Sequence, residues 1–121
     1  MGPFGDHVLL LTATGIKSGD SITTPLVFGR DGANYVVVAS KGGAPANPSW
    51  FANIQAHPEV EVEVRNSDRL ESFKARARVV ESRTEHDRLY ADMSKIWPSF
   101  VDYQKRTERL IPVVILEPTR P

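Results

Sequence analysis

The 121-residue sequence contains no cysteine. That absence excludes disulfide bonds, thiolate metal sites and cysteine nucleophiles. The three histidines, His7, His57 and His86, are scattered without a common helical or strand spacing, so a histidine metal site is not expected. No serine stands in a Ser-His-Asp hydrolase signature. The sequence therefore offers no protein nucleophile, which suits an enzyme whose reactive group is an organic cofactor.

Net charge and long apolar runs are also lacking. Lys and Arg together number 15, as do Asp and Glu, so no overall field draws the chain to nucleic acid. No run of 18 apolar residues is present, and the start does not resemble a secretory leader. These absences predict a soluble, cytoplasmic protein without an integral membrane segment.

The length fits one domain with a single modest core. Residues 1–6 are rich in glycine and proline and are predicted to form a short disordered start. We find no internal repeat, linker or low-complexity tract, so residues 7–121 are expected to fold as one domain.

The first half of the chain reads as three antiparallel strands. Residues 8–12 form an apolar run followed by turn residues, and residues 22–30 resume as a strand. Pro25 cannot donate to a ladder and so indicates an edge or a bulge. An Asp-Gly pair then predicts a tight hairpin into residues 35–40, whose apolar, β-branched composition is typical of a buried strand.

The turn after this third strand has the chemistry of an anion site. It reads Ser-Lys-Gly-Gly at residues 40–43, and Asn47 and Pro48 then match the cap and first position of a helix that ends at His57. The glycines let the backbone approach closely, exposed amides point outward, and Lys41 adds a positive charge. We therefore expect a phosphate-bearing cofactor here. An ordinary flexible surface turn is the alternative interpretation of the same residues.

The second half begins with a predicted hairpin. Valines and glutamates alternate over residues 59–64, and apolar and basic residues alternate over residues 73–79, as in half-buried strands. The charges favour a register in which acid faces base on neighbouring strands. The expected pairs are Glu63 with Lys74, Glu61 with Arg76, and Glu59 with Arg78.

Two helices and a strand are predicted to complete the chain. Ser82 and Glu85 resemble a capping box that opens a helix, and Pro98 ends it. Residues 99–106 form a second helical piece, and residues 112–116 form a continuous apolar strand. Six mostly antiparallel strands with three short helices predict a mainly β (α+β) fold, a small barrel whose gaps the helices fill.

One long string carries a family resemblance. Residues 39–64, A-S-K-G-G-A-P-A-N-P-S-W-F-A-N-I-Q-A-H-P-E-V-E-V-E-V, resemble the deazaflavin-dependent nitroreductase family of the flavin/deazaflavin oxidoreductase superfamily, whose members use coenzyme F420. Further stretches that agree are residues 9–15, 17–19, 23–26, 97–104 and 111–114. The resemblance implies a six-stranded antiparallel split β-barrel like that of FMN-binding proteins. It also implies hydride transfer from reduced F420 to an electron-poor quinone, enone or nitro compound.

The resemblance also implies site residues. Lys41 would hold the phosphodiester, Lys17 would reach the acidic tail, and Tyr103 and Ser40 are the catalytic candidates, as proton donor or clamp and as hydrogen-bond donor. The implied cofactor-binding set is Lys17, Thr24, Pro25, Ala39, Ser40, Lys41, Gly42, Gly43, Asn47, Pro48, Trp50 and Asn53. The aromatic residues that could form walls around a flat ring system are Trp50, Phe51, Trp97, Phe100 and Tyr103.

The sequence departs from the family at two positions. Ile16 and Ile22 stand where members typically carry arginine. Each lost guanidinium removes a group that could hold phosphate or carboxylate. Two alternatives therefore stay open: an FMN-dependent split-barrel oxidoreductase, and a non-catalytic barrel that binds a lipid or similar ligand. An open sheet edge would also allow a homodimer.

Overall fold

The structure, a computed structural model, describes residues 7–66 and 69–119, and the predicted disordered start at residues 1–6 lies outside this part. A 3-10 turn at Lys41–Gly43, seven strands and three α-helices are found within it, and the strands and α-helices are named in chain order. They are β1 Val8–Thr14, β2 Ser21–Val27, β3 Gly29–Asp31, β4 Asn34–Val38, α1 Ser49–Ala56, β5 Glu59–Asn66, β6 Arg69–Val79, α2 Arg83–Ile96, α3 Ser99–Lys105 and β7 Val113–Pro118.

One antiparallel sheet contains all seven strands in the order β2-β1-β5-β6-β7-β4-β3. The two edge strands, β2 and β3, are consecutive in the chain and are separated only by Phe28. The sheet must therefore curl until its edges meet, as in a split barrel. Phe28 is buried at this junction, and its amide donates to the carbonyl of His7 at 2.8 Å.

The predicted fold class is thus confirmed, with seven strands where six were expected. The difference arises because the predicted strand at residues 22–30 is divided at Phe28. Its first part pairs with β1 and its second part pairs with β4. Pro25 lies on β2, whose other side has no strand, so its predicted edge position is correct.

Two hydrophobic cores lie on opposite faces of β4 and β7. The first fills the barrel and the second packs beneath α2 and α3. Burial on both faces explains why these two strands are continuous apolar runs, whereas β5 alternates glutamate with valine. Barrel-facing residues are Tyr35, Val37, Val114 and Leu116, and helix-facing residues are Val36, Val38, Val113 and Ile115.

The predicted register of the β5–β6 hairpin is wrong by two residues. Asn66 lies directly opposite Arg69, so a connection shorter than expected joins the strands. A shift of two keeps every side chain on its predicted face. Arg78 instead lies opposite a residue of β7 and contacts the carboxylate of Glu117 at 3.4 Å. The observed pairs are Glu59 with Arg76, Glu61 with Lys74, and Glu63 with Ser72.

The helix after the turn begins one residue later than predicted. No side chain caps α1, and Pro48 occupies the cap position. The predicted capping by Asn47 is therefore wrong, because its Oδ1 instead accepts a hydrogen bond from Arg109 at 2.6 Å. The end at His57 is as predicted.

The two later helices follow the prediction closely. The Ser82 hydroxyl accepts from the Glu85 amide at 3.2 Å, which forms the predicted cap of α2. Leu89 and Met93 of α2 pack against the second core, and α3 follows after Pro98. Within the described residues, no helix has the length and apolar character needed to cross a membrane.

Replacing the cap of α2 should lower stability. We expect Ser82→Ala to reduce the free energy of unfolding by about 1 kcal/mol, since the Glu85 amide loses its acceptor. Ser94→Ala is the matched control: that hydroxyl donates to the Tyr90 carbonyl within the same helix, a bond that favours bending, so its loss should change stability by less than about 0.5 kcal/mol. Urea unfolding measures both, and equal losses would contradict the capping role.

Candidate active site

A cavity of about 390 Å³ opens where the two ends of the sheet meet. Strands β2 and β4 face each other across it, although four strands separate them in the sheet order. A larger groove of about 560 Å³ between α2 and α3 is lined by none of the predicted site residues. The cavity at the seam is lined by Thr24, Pro25, Leu26, Val27, Val38, Ser40, Lys41, Gly42, Pro48, Trp50, Trp97, Phe100 and Tyr103.

The turn at the end of β4 lines this cavity and has free backbone amides. Ser40 has right-handed helical angles, while Lys41 and Gly42 have φ of 47° and 64°. Successive amides in a right-handed then left-handed conformation form a concave anion-binding nest. Among the described residues, the amides of Ser40, Lys41 and Gly42 have no hydrogen-bond acceptor.

Lys41 combines a strained backbone with an unpaired charge. A positive φ is uncommon for a residue other than glycine and costs roughly 1–2 kcal/mol. Strain of this kind is concentrated at functional sites. Within the described part of the chain, neither the Lys41 ammonium nor the half-buried Ser40 hydroxyl has a polar partner. The turn is therefore a cationic, donor-rich surface.

Aromatic side chains form the opposite walls. Trp50 is only 6 % exposed. Its side chain packs in the barrel core and also lines the cavity. The Tyr103 hydroxyl accepts from Trp97 Nε1 at 3.4 Å, which leaves its own proton free to be donated. Phe51 is not a wall residue, because it packs inside the barrel.

Helix α3 contains Phe100 and Tyr103, two of the aromatic residues that line the cavity, and a hydrogen bond from Tyr90 of α2 fixes its position. The Tyr90 hydroxyl donates to the Phe100 carbonyl at 2.6 Å. Burial raises the pKa of Tyr90 to about 12, so this bond persists at neutral pH. Phe100 in turn packs edge-on against Tyr103, with ring centroids 5.9 Å apart.

Several predicted site residues do not line the cavity. Gly43 is buried against α3, where a Cβ atom would come within 2.6 Å of the Tyr103 carbonyl oxygen. Asn53 is buried, and its Oδ1 accepts from the Ile16 amide at 3.2 Å, which ties the β1–β2 turn to α1. Lys17 is exposed on that same turn, and Ala39 is fully buried.

Arg109 is a residue of this region that sequence reasoning missed. Its guanidinium makes four hydrogen bonds to the turn: Nε to Ala44 O at 2.9 Å, Nη2 to Ser40 O at 2.8 Å, and Nη1 to Ala39 O at 3.3 Å and Asn47 Oδ1 at 2.6 Å. Among the described residues, no carboxylate forms an ion pair with it. Burial lowers the pKa of the Arg109 guanidinium, which nevertheless stays charged at neutral pH. Only the basic character of residues 105–109 hinted at such a contact.

The two positions that depart from the family pattern are solvent-facing. Ile16 is 51 % exposed and Ile22 is 43 % exposed, both near the β1–β2 turn. Arginine at either position would extend into solvent beside Lys17. In the described residues, no three His, Asp or Glu side chains lie close enough together to hold a metal ion.

Comparison with known proteins identifies the family. Residues 3–118 match the model of F420H(2)-dependent quinone reductases. The chain belongs to this family. The F420H(2)-dependent quinone reductase of Mycobacterium tuberculosis is 41% identical over 113 residues, which cover 89% of this chain and 71% of that protein. The resemblance to F420-dependent enzymes drawn from the sequence is therefore confirmed.

Solved structures of family relatives share the fold. An F420-H2 dependent reductase is 36% identical, with a TM-score of 0.77 over 91% of this chain and 93% of that one. A second structure, described as a domain-swapped dimer, has the same identity and TM-score over 91% of this chain and 79% of that one. Both agree with the curled antiparallel sheet described above.

The two glycines of the turn should differ in what they tolerate. Both have positive φ, so alanine at either position should cost about 1 kcal/mol in backbone strain. Gly42 has open space around it, whereas alanine at Gly43 would also displace the Tyr103 backbone, adding about 1–3 kcal/mol. Urea unfolding of Gly42→Ala and Gly43→Ala measures the difference. Equal losses would show that α3 does not depend on close contact with the turn.

Proposed function

We propose that this protein transfers a hydride from reduced coenzyme F420 to a small electron-poor acceptor, a quinone in the first instance and an enone or nitro compound as related acceptors. The observation that carries the proposal is the juxtaposition, in one cavity, of an amide nest with Lys41 and an aromatic wall containing Trp50 and Tyr103. The nest suits the phosphodiester of the coenzyme, and the flat walls suit its ring.

Each part of the cavity has a role in holding the coenzyme. The amides of Ser40, Lys41 and Gly42 and the Lys41 ammonium would bind the phosphodiester. Pro25 and the backbone at Ser40 would lie against the ring. Pro48 and Trp50 would close the opposite side, and Lys17 would reach the carboxylates of the acidic tail. The aromatic walls would exclude water from the ring.

The chemistry divides between coenzyme and protein. When bound, reduced F420 supplies a hydride from its ring carbon. A quinone that accepts a hydride acquires negative charge on its oxygen, and one proton completes its reduction to the hydroquinone. Tyr103 Oη would donate that proton or a hydrogen bond, which lowers the barrier by stabilising the developing charge. The Ser40 hydroxyl would provide a second hydrogen-bond donor.

Two features limit how the acidic tail would bind. The side chains of Ile16 and Ile22 cannot form an ion pair with a carboxylate. Of the proposed binding residues, Lys17 alone would pair with the carboxylates of the tail. FMN, which has one terminal phosphate and no such tail, is therefore the competing cofactor, and a lipid-binding barrel without activity is the non-enzymatic alternative. Cytoplasmic location and homodimer formation stay predictions.

The function can be tested by cofactor titration and turnover. Trp50 and Trp97 line the cavity, so their fluorescence should be quenched by F420 more strongly than by FMN. Reduced F420 should then be oxidised by menadione faster with protein than in buffer. Quenching by FMN alone would favour the FMN enzyme. Absence of turnover together with a co-purifying lipid would favour the binding barrel.

Removing the charge of the turn should weaken coenzyme binding. We expect Lys41→Ala to raise the F420 dissociation constant by an amount equivalent to about 1.5–3 kcal/mol, the range for a lost charged hydrogen bond, without unfolding the protein. Lys74→Ala, which removes an exposed lysine from β6 away from the cavity, is the control and should bind like the parent. If Lys41→Ala binds F420 as tightly as the parent, the phosphate must bind at another place.

A further inference from the structure

The hydrogen bonds of Arg109 fix the direction of the amides in the turn. In a trans peptide unit, the carbonyl oxygen and the following amide hydrogen point in opposite directions. Arg109 binds the carbonyl oxygens of Ala39 and Ser40. The amides of Ser40 and Lys41 must therefore point away from the guanidinium, and both residues lie at the cavity where these amides have no acceptor in the described chain. The Arg109 side chain therefore fixes the direction of the Ser40 and Lys41 amides.

The Arg109 side chain is a firm support because its own backbone is held from two sides. Gln104 of α3 donates from Nε2 to the Arg109 carbonyl at 2.8 Å and accepts from the Ile111 amide at 2.9 Å. The buried His86 of α2 places Nε2 2.7 Å from the Ile111 carbonyl oxygen. The segment before β7 is thus fastened to both helices, and Arg109 extends from it to the turn.

Arg109 is poorly placed to be an anion ligand itself. A guanidinium has five N–H donors, and four of them are already directed at the turn. Lysine could not replace it, because an ammonium lacks the planar fork that reaches several oxygens at once. The arrangement therefore indicates a positioning role that depends on geometry in addition to charge.

We propose that Arg109 is a positioning residue for the coenzyme phosphate: it holds the carbonyls of Ala39 and Ser40 towards its guanidinium, so that the amides of Ser40 and Lys41 are preorganised to receive the anion. This inference rests on the proposed function. Preorganised donors need no rearrangement when the ligand arrives, so their effect appears as affinity.

The test compares two ligands that share the ring and differ in the phosphodiester and the acidic tail beyond it. Coenzyme F420 carries both, whereas 7,8-didemethyl-8-hydroxy-5-deazariboflavin has the same ring and ribityl chain without them. Arg109→Gln should weaken F420 binding by about tenfold or more, the equivalent of one charge-assisted hydrogen bond, and leave binding of the phosphate-free ring compound unchanged. Arg109→Lys should behave like Arg109→Gln. Fluorescence titration measures both ligands.

Lys105→Gln is the matched control. It removes a positive charge from the exposed end of α3, on the groove side and away from the turn, and should bind both ligands like the parent. Equal loss of both ligands by Arg109→Gln would mean general collapse of the cavity. Full recovery by Arg109→Lys would mean that charge alone matters. Either result would overturn the positioning role.

Hydrogen exchange tests the same idea without any ligand. The amides of Gly43 and Ala44 bond to Ser40 O and Lys41 O within the turn, and their exchange should accelerate about tenfold or more in Arg109→Gln. In the parent, the Arg109 Nε–H should exchange slowly, a measurement that needs no variant to fold. Rapid Nε–H exchange, or unchanged amide exchange in the variant, would refute the inference.

The two proposals fail in different ways. If the parent does not bind F420, the proposed function fails and the phosphate role of Arg109 fails with it, while amide exchange still decides whether Arg109 orders the turn. If the parent binds F420 and Arg109→Gln binds it equally well, only the inference about Arg109 is lost.

Discussion

The closure of the sheet through Phe28 is the constraint on which the site depends. One extended stretch supplies both edge strands, so β2 and β3 must meet at a single buried residue. Only this closure places Pro25 beside Ser40, because the sheet order separates their strands by β1, β5, β6 and β7. The cavity therefore exists because the barrel closes, with the turn at residues 40–43 on one side and the edge strand β2 on the other.

Local sequence signals predicted much of this architecture. Alternation in β5, the apolar runs of β1, β4 and β7, and the Ser82 cap each depend on neighbouring residues and the face they bury, and each was predicted correctly. The hairpin register was not, because opposed charges are satisfied almost equally after a shift of two, and the length of the connection decides. The division at Phe28 also escaped prediction, since it follows from closure of the whole sheet.

The candidate site was predictable where its residues are consecutive. Ser40, Lys41 and Gly42 form the expected donor-rich turn, and the resemblance placed Trp50 and Tyr103 in the same set. Asn47 was given a capping role that a distant arginine overrides. Arg109 is separated from the turn by more than sixty residues. No periodicity connects such positions, so only the tertiary structure brings them together.

The contact between Gly43 and Tyr103 has a mechanical consequence. The buried glycine allows the turn and α3 to touch through their backbones, with no flexible side chain between them. A displacement of the turn on coenzyme binding would therefore be transmitted to the Tyr103 phenol, the group proposed to face the acceptor. Binding of the reduced coenzyme and positioning of the acceptor would therefore both depend on the backbone contact between Gly43 and Tyr103.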